Sequence, residues 1–200
     1  MPETQSLYTL LDSPLFRGTR LPDQDIPISG ITDDSRAVKT GNLFVAVPGV
    51  HVDGHRFISK AVEAGAVAVV GEKPYREIDL PESIPYIQVS DSREALGWLH
   101  AGWYDYPGDH LVLIGVTGTD GKTTTTNLIH AMLRAEGLMT GMVSTVNARI
   151  GTQDYDTGLH TTTPPSVDIQ RYLSQMVAAG VSHAVLETTS HGLAQRRLAG

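Results

Sequence analysis

The apolar positions of the chain fall into short runs at two different spacings. Leu7, Leu10 and Leu11 precede Pro14, Gly18 and Pro22, which predicts a short helix and a loop up to about residue 25. Ile26 to Ile31 predicts a strand, placed at a sheet edge because Pro27 has no N–H to give a ladder. Thr32-Asp33-Asp34-Ser35-Arg36 is a polar turn, and Asn42 to Val47 is a second strand stopped by Pro48-Gly49. Phe57, Ile58, Ala61 and Val62 recur at helical spacing. Gly65 ends that helix, since glycine takes the left-handed C-terminal conformation at little cost. Ala66 to Val70 and Ile84 to Val89 read as strands. Asp91-Ser92-Arg93-Glu94 then opens a helix that turns Ala95, Leu96, Leu99 and Trp103 inward, with Asp91 or Ser92 as its cap. Strands alternating with helices predict a small α/β domain.

Tyr106-Pro107-Gly108-Asp109 breaks the last of these helices and is the expected linker, giving domains 1–108 and 109–200. The alternation then resumes. Leu111 to Ile114 is an apolar strand, and Asn127 to Leu133 has helical periodicity. Gly137 and Gly141 bracket a turn before a strand from Met142 to Val146, and Asp154 to Thr163 is polar and rich in hydroxyls. Pro164-Pro165-Ser166 starts a helix with Ile169, Leu173, Met176 and Val177 on one face, stopped by Gly180. Val181 to Leu186 is a buried strand that delivers Glu187 at its C-terminal end, the edge at which open parallel sheets bind ligands.

Between the strand at 111–114 and its helix stands Gly115-Val-Thr-Gly118-Thr119-Asp120-Gly121-Lys122-Thr123-Thr124. A glycine loop leading from a strand into a helix directs backbone N–H groups into one concavity, where the helix dipole also favours negative charge. Gly118 and Gly121 let the backbone come close, Lys122 can reach the β and γ phosphates of a nucleotide, and the Thr123 hydroxyl can ligate a magnesium ion. The loop is a variant of G-x-x-x-x-G-K-[ST], because Val116 stands at the first glycine position.

Composition narrows the class of protein. The 200 residues are 40% hydrophobic and 18% charged, as in ordinary soluble globular chains. A net charge of −7 argues against a general nucleic-acid binder. Residues 1–108 carry 9 basic and 15 acidic side chains, whereas 109–200 carry 6 and 7, so the half with the glycine loop repels an anion less. Without cysteine, disulfides, thiolate chemistry and cysteine zinc sites are excluded. No apolar run approaches the roughly 18 residues of a membrane span, and no secretory signal opens the chain, so a cytoplasmic location is expected.

Glu187 is placed to help hold the metal, directly or through water. Thr188, Thr189, Ser190 and His191 after it form a polar cluster of the kind that loops on rigid scaffolds use for function. Thr161-Thr162-Thr163-Pro164 offers three hydroxyls ahead of a helix N-terminus, suited to an anion such as a diphosphate, although capping alone needs only one of them. Gln195, Arg196 and Arg197 add arginine for bidentate contact with phosphate, a role that a solvated helix face explains equally well.

Together these stretches resemble the Mur ligase family, the ATP-dependent amide-forming enzymes of peptidoglycan precursor synthesis. Asp34-Ser35-Arg36, Gly41 to Gly49, Asp53-Gly54-His55-Arg56-Phe57 and Gly65-Ala66 are similar to the family's N-terminal domain, and Thr117 to Thr124 to its ATP loop. Thr161 to Pro164 and Glu187 to Leu193, with Gln195 and Arg197, resemble the branch that adds the third residue of the stem peptide. The resemblance implies an α/β fold in which a small N-terminal α/β UDP-binding domain precedes part of a P-loop parallel-sheet ATPase domain. It implies that Ser35 contacts the uridine nucleotide sugar. Gly118, Thr119, Asp120, Gly121, Lys122, Thr123 and Thr124 would hold ATP, with Mg2+ on Thr123 and Glu187. Lys122 and Glu187 would be the catalytic groups. Thr162, Thr163, Thr189, Gln195 and Arg197, with His191, would bind UDP-N-acetylmuramoyl dipeptide. Asp120 stands where the family usually has Asn, and Thr188-Thr189 where Val-Ser is common.

Family members are longer, so the chain is expected to be an N-terminal fragment. The rest of the ATPase domain, a carbamylated lysine near the metal and the domain for the incoming amino acid would lie beyond Gly200, and the piece alone would be inactive. The expected reaction activates the terminal carboxylate of UDP-N-acetylmuramoyl-L-alanyl-D-glutamate as an acyl phosphate, which a diamino acid, meso-diaminopimelate or L-lysine, then attacks. A monomer with no nucleic-acid or membrane partner is expected. Two other readings remain: another ligase of the Mur or folylpolyglutamate type, and a non-catalytic nucleotide-binding module.

Overall fold

The computed structural model describes residues 3–49, 52–145, 147–151, 153–156 and 163–200, with backbone alone at 154 and 156. The chain divides into two compact units, Met1–Trp103 and Tyr104–Gly200, so the division falls ahead of the turn at 106–109. Pro107–His110 is itself a 3-10 turn of the second unit.

In the first unit β1 (Gln5–Ser6) leads directly into α1 (Leu7–Leu10), whose first turn is capped by the Ser6 hydroxyl accepting from Thr9 N–H. The apolar run at 26–31 is two strands and not one. β2 (Pro27–Ile28) pairs antiparallel with β1, while β3 (Gly30–Thr32) joins a different sheet. The break is Ser29, whose N–H donates to Gly41 O at 2.9 Å and whose hydroxyl donates to Thr40 O at 2.9 Å. β4 (Asn42–Val45), α2 (Ile58–Glu63), β5 (Ala68–Gly71), β6 (Tyr86–Gln88) and α3 (Ser92–Trp103) follow. Asp91 is the cap of α3, its Oδ1 accepting from Arg93 and Glu94 N–H at 3.0 Å each.

β3, β4, β5 and β6 form a wholly parallel sheet in that order. Alternation along β4 and β5 fills both faces. Leu43, Val45, Ala68 and Val70 pack with Leu7, Leu10, Ala95 and Leu99, whereas Phe44 and Val69 pack with Ile58 and Ala61. Strands buried on both sides read as continuous apolar runs for this reason. Gly65, with φ +108, closes α2 as expected, and a Cβ there would also meet Thr40 Cα at 2.8 Å.

In the second unit β7 (Val112–Val116), α4 (Lys122–Ala135), β8 (Thr140–Val143), β9 (Asn147–Ile150), β10 (Gln153–Asp156), α5 (Ser166–Ala178), β11 (His183–Glu187) and α6 (Ser190–Ala194) form one five-stranded sheet with its helices. Its order is β10-β9-β8-β11-β7, with β8, β11 and β7 parallel. The antiparallel hairpin of β9 and β10 has no counterpart among the elements that the sequence pattern predicts. α4 packs through Ile129 and Leu133 on Val116, Met142 and Val185. α5 packs through Ile169, Leu173 and Met176 on Val143, Ala184 and Leu186. Two corrections concern β8. It stops at Val143 instead of running to residue 146, because Ser144 N–H donates to Asn147 O and the chain turns back. Gly141 lies inside the strand and not in a turn: a Cβ there would sit 2.5 Å from Met176 Sδ, so its smallness lets α5 approach.

Candidate functional site

β11 lies between β7 and β8 in the parallel ladder, and the chain leaves β7 and β11 at the same sheet edge. α4, which follows β7, covers one face, and α5, which leads into β11, covers the other. The C-terminal edge of a parallel sheet is the place where such sheets bind ligands. Glu187 is in register with Val116 there, and the glycine loop begins at the next residue.

Gly121, with φ 75° and ψ 1°, is the left-handed residue that turns the loop into α4, and Gly118 has φ 151°. No heavy atom lies within 4 Å of a Cβ built on Gly121, so the demand for glycine is conformational. Residues 117–121 are exposed. The Lys122 ammonium donates to Gly118 O at 2.9 Å and Thr119 O at 3.0 Å, which ties its charge to the loop. Asp120 and Thr124 are exposed on either side of this tie.

The Thr123 hydroxyl donates to the Glu187 carboxylate, 2.9 Å from Oε1 and 3.1 Å from Oε2. Glu187 is 3% exposed, and the Thr145 N–H and hydroxyl also donate to it at 3.0 Å each. A buried carboxylate beside a threonine hydroxyl is a hard-oxygen donor set, which fits a magnesium ion. Asn127 Nδ2 donates to Thr123 O at 2.8 Å one turn on, holding the first turn of α4.

A second cluster lies around α6. Thr163 Oγ1 accepts from Thr189 N–H at 3.0 Å and lies 3.2 Å from Thr189 Oγ1, which in turn caps α6 by accepting from Gly192 N–H at 2.9 Å. Arg197 donates through Nε to Gln195 Oε1 at 3.0 Å and through a guanidinium nitrogen to Thr163 O. Thr163, Thr189, Gln195 and Arg197 are thus one hydrogen-bonded group, while His191 is exposed on α6. Thr162 lies outside the described residues.

In the first unit Ser35 is buried just beyond β3. Its neighbours close on each other: Arg36 Nε and a guanidinium nitrogen donate to Asp34 Oδ1 and Oδ2 at 2.9 and 2.8 Å. Those bonds, with the Arg36 N–H, pull the Asp34 carboxyl down to about 2. A separate network centres on His55. Its Nε2 accepts from Glu72 N–H at 2.8 Å and Lys73 N–H at 3.3 Å, so the ring proton is on Nδ1 and faces Asp53 Oδ1 at 2.7 Å. Burial opposes ionisation of Asp53, but bonds from Lys73 and His55 outweigh it and hold the carboxyl well below the usual range.

Thr145 and Asn127 join the site residues only in the folded chain. Asn127 carries a sequence signal as a polar residue four positions after Thr123, the spacing that puts two side chains on one helix face. Thr145 carries none, because the apolar pattern extends the predicted strand through it.

Strand, glycine loop, helix and opposing carboxylate define the second unit as a phosphate-loop α/β domain. Residues 116–200 match the Mur ligase middle domain, and residues 27–104 match the domain described as the Mur ligase family, catalytic domain. The chain belongs to the Mur ligase family. It is 44% identical over 188 residues to a protein of Roseiflexus sp. named UDP-N-acetylmuramyl-tripeptide synthetase, a match covering 93% of this chain and 36% of the relative. It is 43% identical over 187 residues to the UDP-N-acetylmuramoyl-L-alanyl-D-glutamate--2,6-diaminopimelate ligase of Listeria monocytogenes, over 94% of this chain and 36% of the relative. A solved structure of a ligase of that same name superposes with a TM-score of 0.73 at 27% identity, covering 98% of this chain and 38% of that one. The chain therefore spans little more than a third of the length of the curated relatives it matches. Among the described residues no helix is long and apolar enough to cross a membrane.

Proposed function

We propose that this chain supplies the UDP-substrate domain and the start of the ATP-binding domain of a ligase. That ligase adds a diamino acid, meso-diaminopimelate or L-lysine, to UDP-N-acetylmuramoyl-L-alanyl-D-glutamate. The observation that carries the reading is the Thr123 hydroxyl held on the buried Glu187 carboxylate at the mouth of the glycine loop. The name of the Listeria relative supports the dipeptide substrate and 2,6-diaminopimelate, and L-lysine is the alternative diamino acid of this reading.

In this reading the loop from Gly118 to Thr124 receives the phosphates of ATP. Lys122 exchanges the carbonyls of Gly118 and Thr119 for phosphate oxygens and offsets the charge that develops there during transfer. Thr123 and Glu187 would hold Mg2+, which supplies neutralisation of the phosphate charge. Thr163, Thr189, Gln195 and Arg197 orient the substrate whose terminal carboxylate accepts the γ-phosphoryl group, and Thr162 and His191 belong with them. The acyl phosphate so formed is attacked by the amine, the C–N bond forms and phosphate leaves. Ser35 contacts the uridine nucleotide at the other end of the substrate.

The test, made on the full-length protein, is the formation of ADP and the UDP-muramoyl tripeptide from ATP, the dipeptide substrate and the diamino acid. Product should require all three substrates, and Lys122→Ala should lower turnover by about 100-fold or more, the scale of removing one preorganised charge from a transition state. Unchanged turnover with unchanged ATP affinity in that variant would sink the assignment.

A further inference from the structure

We propose that Thr145 is the positioning residue of the metal site, setting the Glu187 carboxylate so that Thr123 presents its free lone pairs to the ion. This rests on the reading of the loop as a metal and nucleotide site.

The geometry begins in the turn after β8. Ser144 N–H donates to Asn147 O at 2.9 Å, and its hydroxyl lies 3.1 Å from both Asn147 O and Asn147 Oδ1. Ser144 is 1% exposed. That tight turn aims two donors of the next residue at one target: Thr145 N–H reaches Glu187 Oε2 and the Thr145 hydroxyl reaches Oε1, both at 3.0 Å. A donor on each oxygen fixes the plane of the carboxylate, whose terminal torsion is otherwise broad.

With that plane fixed, the Thr123 hydroxyl spends its one proton on Glu187. A hydroxyl has one donor and two acceptor lone pairs, so both lone pairs stay available on the side away from the carboxylate. The arrangement is the one a cation needs from a neutral hydroxyl. Groups that orient a metal ligand in this way, without touching the metal, change its affinity by about 10- to 100-fold. The Lys122 ammonium is tied to loop carbonyls, and among the described residues no cation pairs with Glu187, so Thr145 is the residue that, beside Thr123, donates to both carboxylate oxygens.

The experiment is titration of the protein with ATP in magnesium and again in EDTA, for the parent and for Thr145→Val and Thr145→Ser. The ratio of the two dissociation constants isolates the metal-dependent gain. Thr145→Val keeps the N–H and the shape but loses the hydroxyl, and should cut that gain at least tenfold while leaving affinity in EDTA within about twofold. Thr145→Ser should restore it. A full gain in Thr145→Val overturns the proposal. Equal losses with and without metal also overturn it, since they mark a general structural role. If Thr145→Val does not fold, Thr145→Ser and Thr145→Gly decide: Ser must keep the gain and Gly must lose it, and any other pattern counts against the proposal. If the parent gains nothing from magnesium, the metal site itself is absent, a failure distinct from that of Thr145.

Discussion

Thr123 and Glu187, 64 positions apart in sequence, share a hydrogen bond of 2.9 Å at the C-terminal edge of the parallel sheet. The pairing joins the first turn of α4 to the end of β11, and the register of β11 on β7 brings it about, since Glu187 lies opposite the residue from which the glycine loop departs. The consequences for stability and for binding can be separated by substitutions at and around this edge.

Gly121→Ala should destabilise the second unit by about 1–2 kcal/mol, the cost of placing an L side chain in the left-handed region. Nothing surrounds the new methyl group, so the loss is one of backbone strain. Gly141→Ala should cost a similar amount, about 1–3 kcal/mol, by overpacking against Met176. Urea unfolding of Gly141→Ala together with Met176→Ala would distinguish the two causes: relief by the second change is expected at 141, whereas Gly121→Ala should be unaffected by it.

His55→Ala should destabilise the first unit by about 2–4 kcal/mol, because it strips the acceptor from two backbone N–H groups and the partner from Asp53. The ring is also packed 2.8 Å from where a Cβ on Gly71 would lie, so Gly71→Ala should disturb the same network. Denaturant midpoints read both effects, and they should be less than additive because the two residues touch.

Acid should destabilise the first unit through His100. Burial lowers its folded-state value from 6.5 to about 4, against a backbone bond at Ile31 that raises it. Between those values the unfolded chain binds a proton that the folded one does not, so stability is full above about pH 6.5 and falls as pH drops towards 4. The loss approaches about 3 kcal/mol. The slope of unfolding free energy against pH across that window should flatten in His100→Gln. A slope unchanged by the substitution would assign the acid sensitivity elsewhere.

Gly192→Ala should weaken binding of the UDP-muramoyl dipeptide by about tenfold while leaving ATP affinity unchanged. The added methyl group would lie 2.6 Å from the Thr163 Cβ and Oγ1, and the group of Thr163, Thr189 and Arg197 must move to admit it. A tenfold change is about 1.4 kcal/mol, ordinary for one displaced polar contact. Equilibrium binding of each ligand to the variant checks it.

Much of the fold is legible in the sequence because parallel strands covered on both faces are plain apolar runs: Asn42 to Val47, Ala66 to Val70 and Val181 to Leu186 stand out. The glycine loop is legible for the same local reason, since its chemistry is contiguous. What stays hidden depends on distant pairing. Nothing at 26–31 says that Ser29 bonds to residues 40 and 41, which is why one run becomes two strands. The β9–β10 hairpin carries Arg149 and Gln153 on strands without a continuous apolar signal, and Gly141 looks like a turn until Met176 is packed on it. Thr145 is a single hydroxyl whose meaning exists only once β11 lies beside β8.

The dependence of ATP binding on magnesium, compared between the parent protein and Glu187→Gln, tests the metal site most directly. The buried carboxylate is the anionic member of that site, and its amide keeps the shape and one acceptor oxygen. Magnesium should tighten ATP binding at least tenfold in the parent and by less than about twofold in Glu187→Gln, in the range by which groups around a metal change its affinity. Equal enhancement in the two proteins would contradict the proposed site, because Thr123 and Glu187 would then be joined for stability alone.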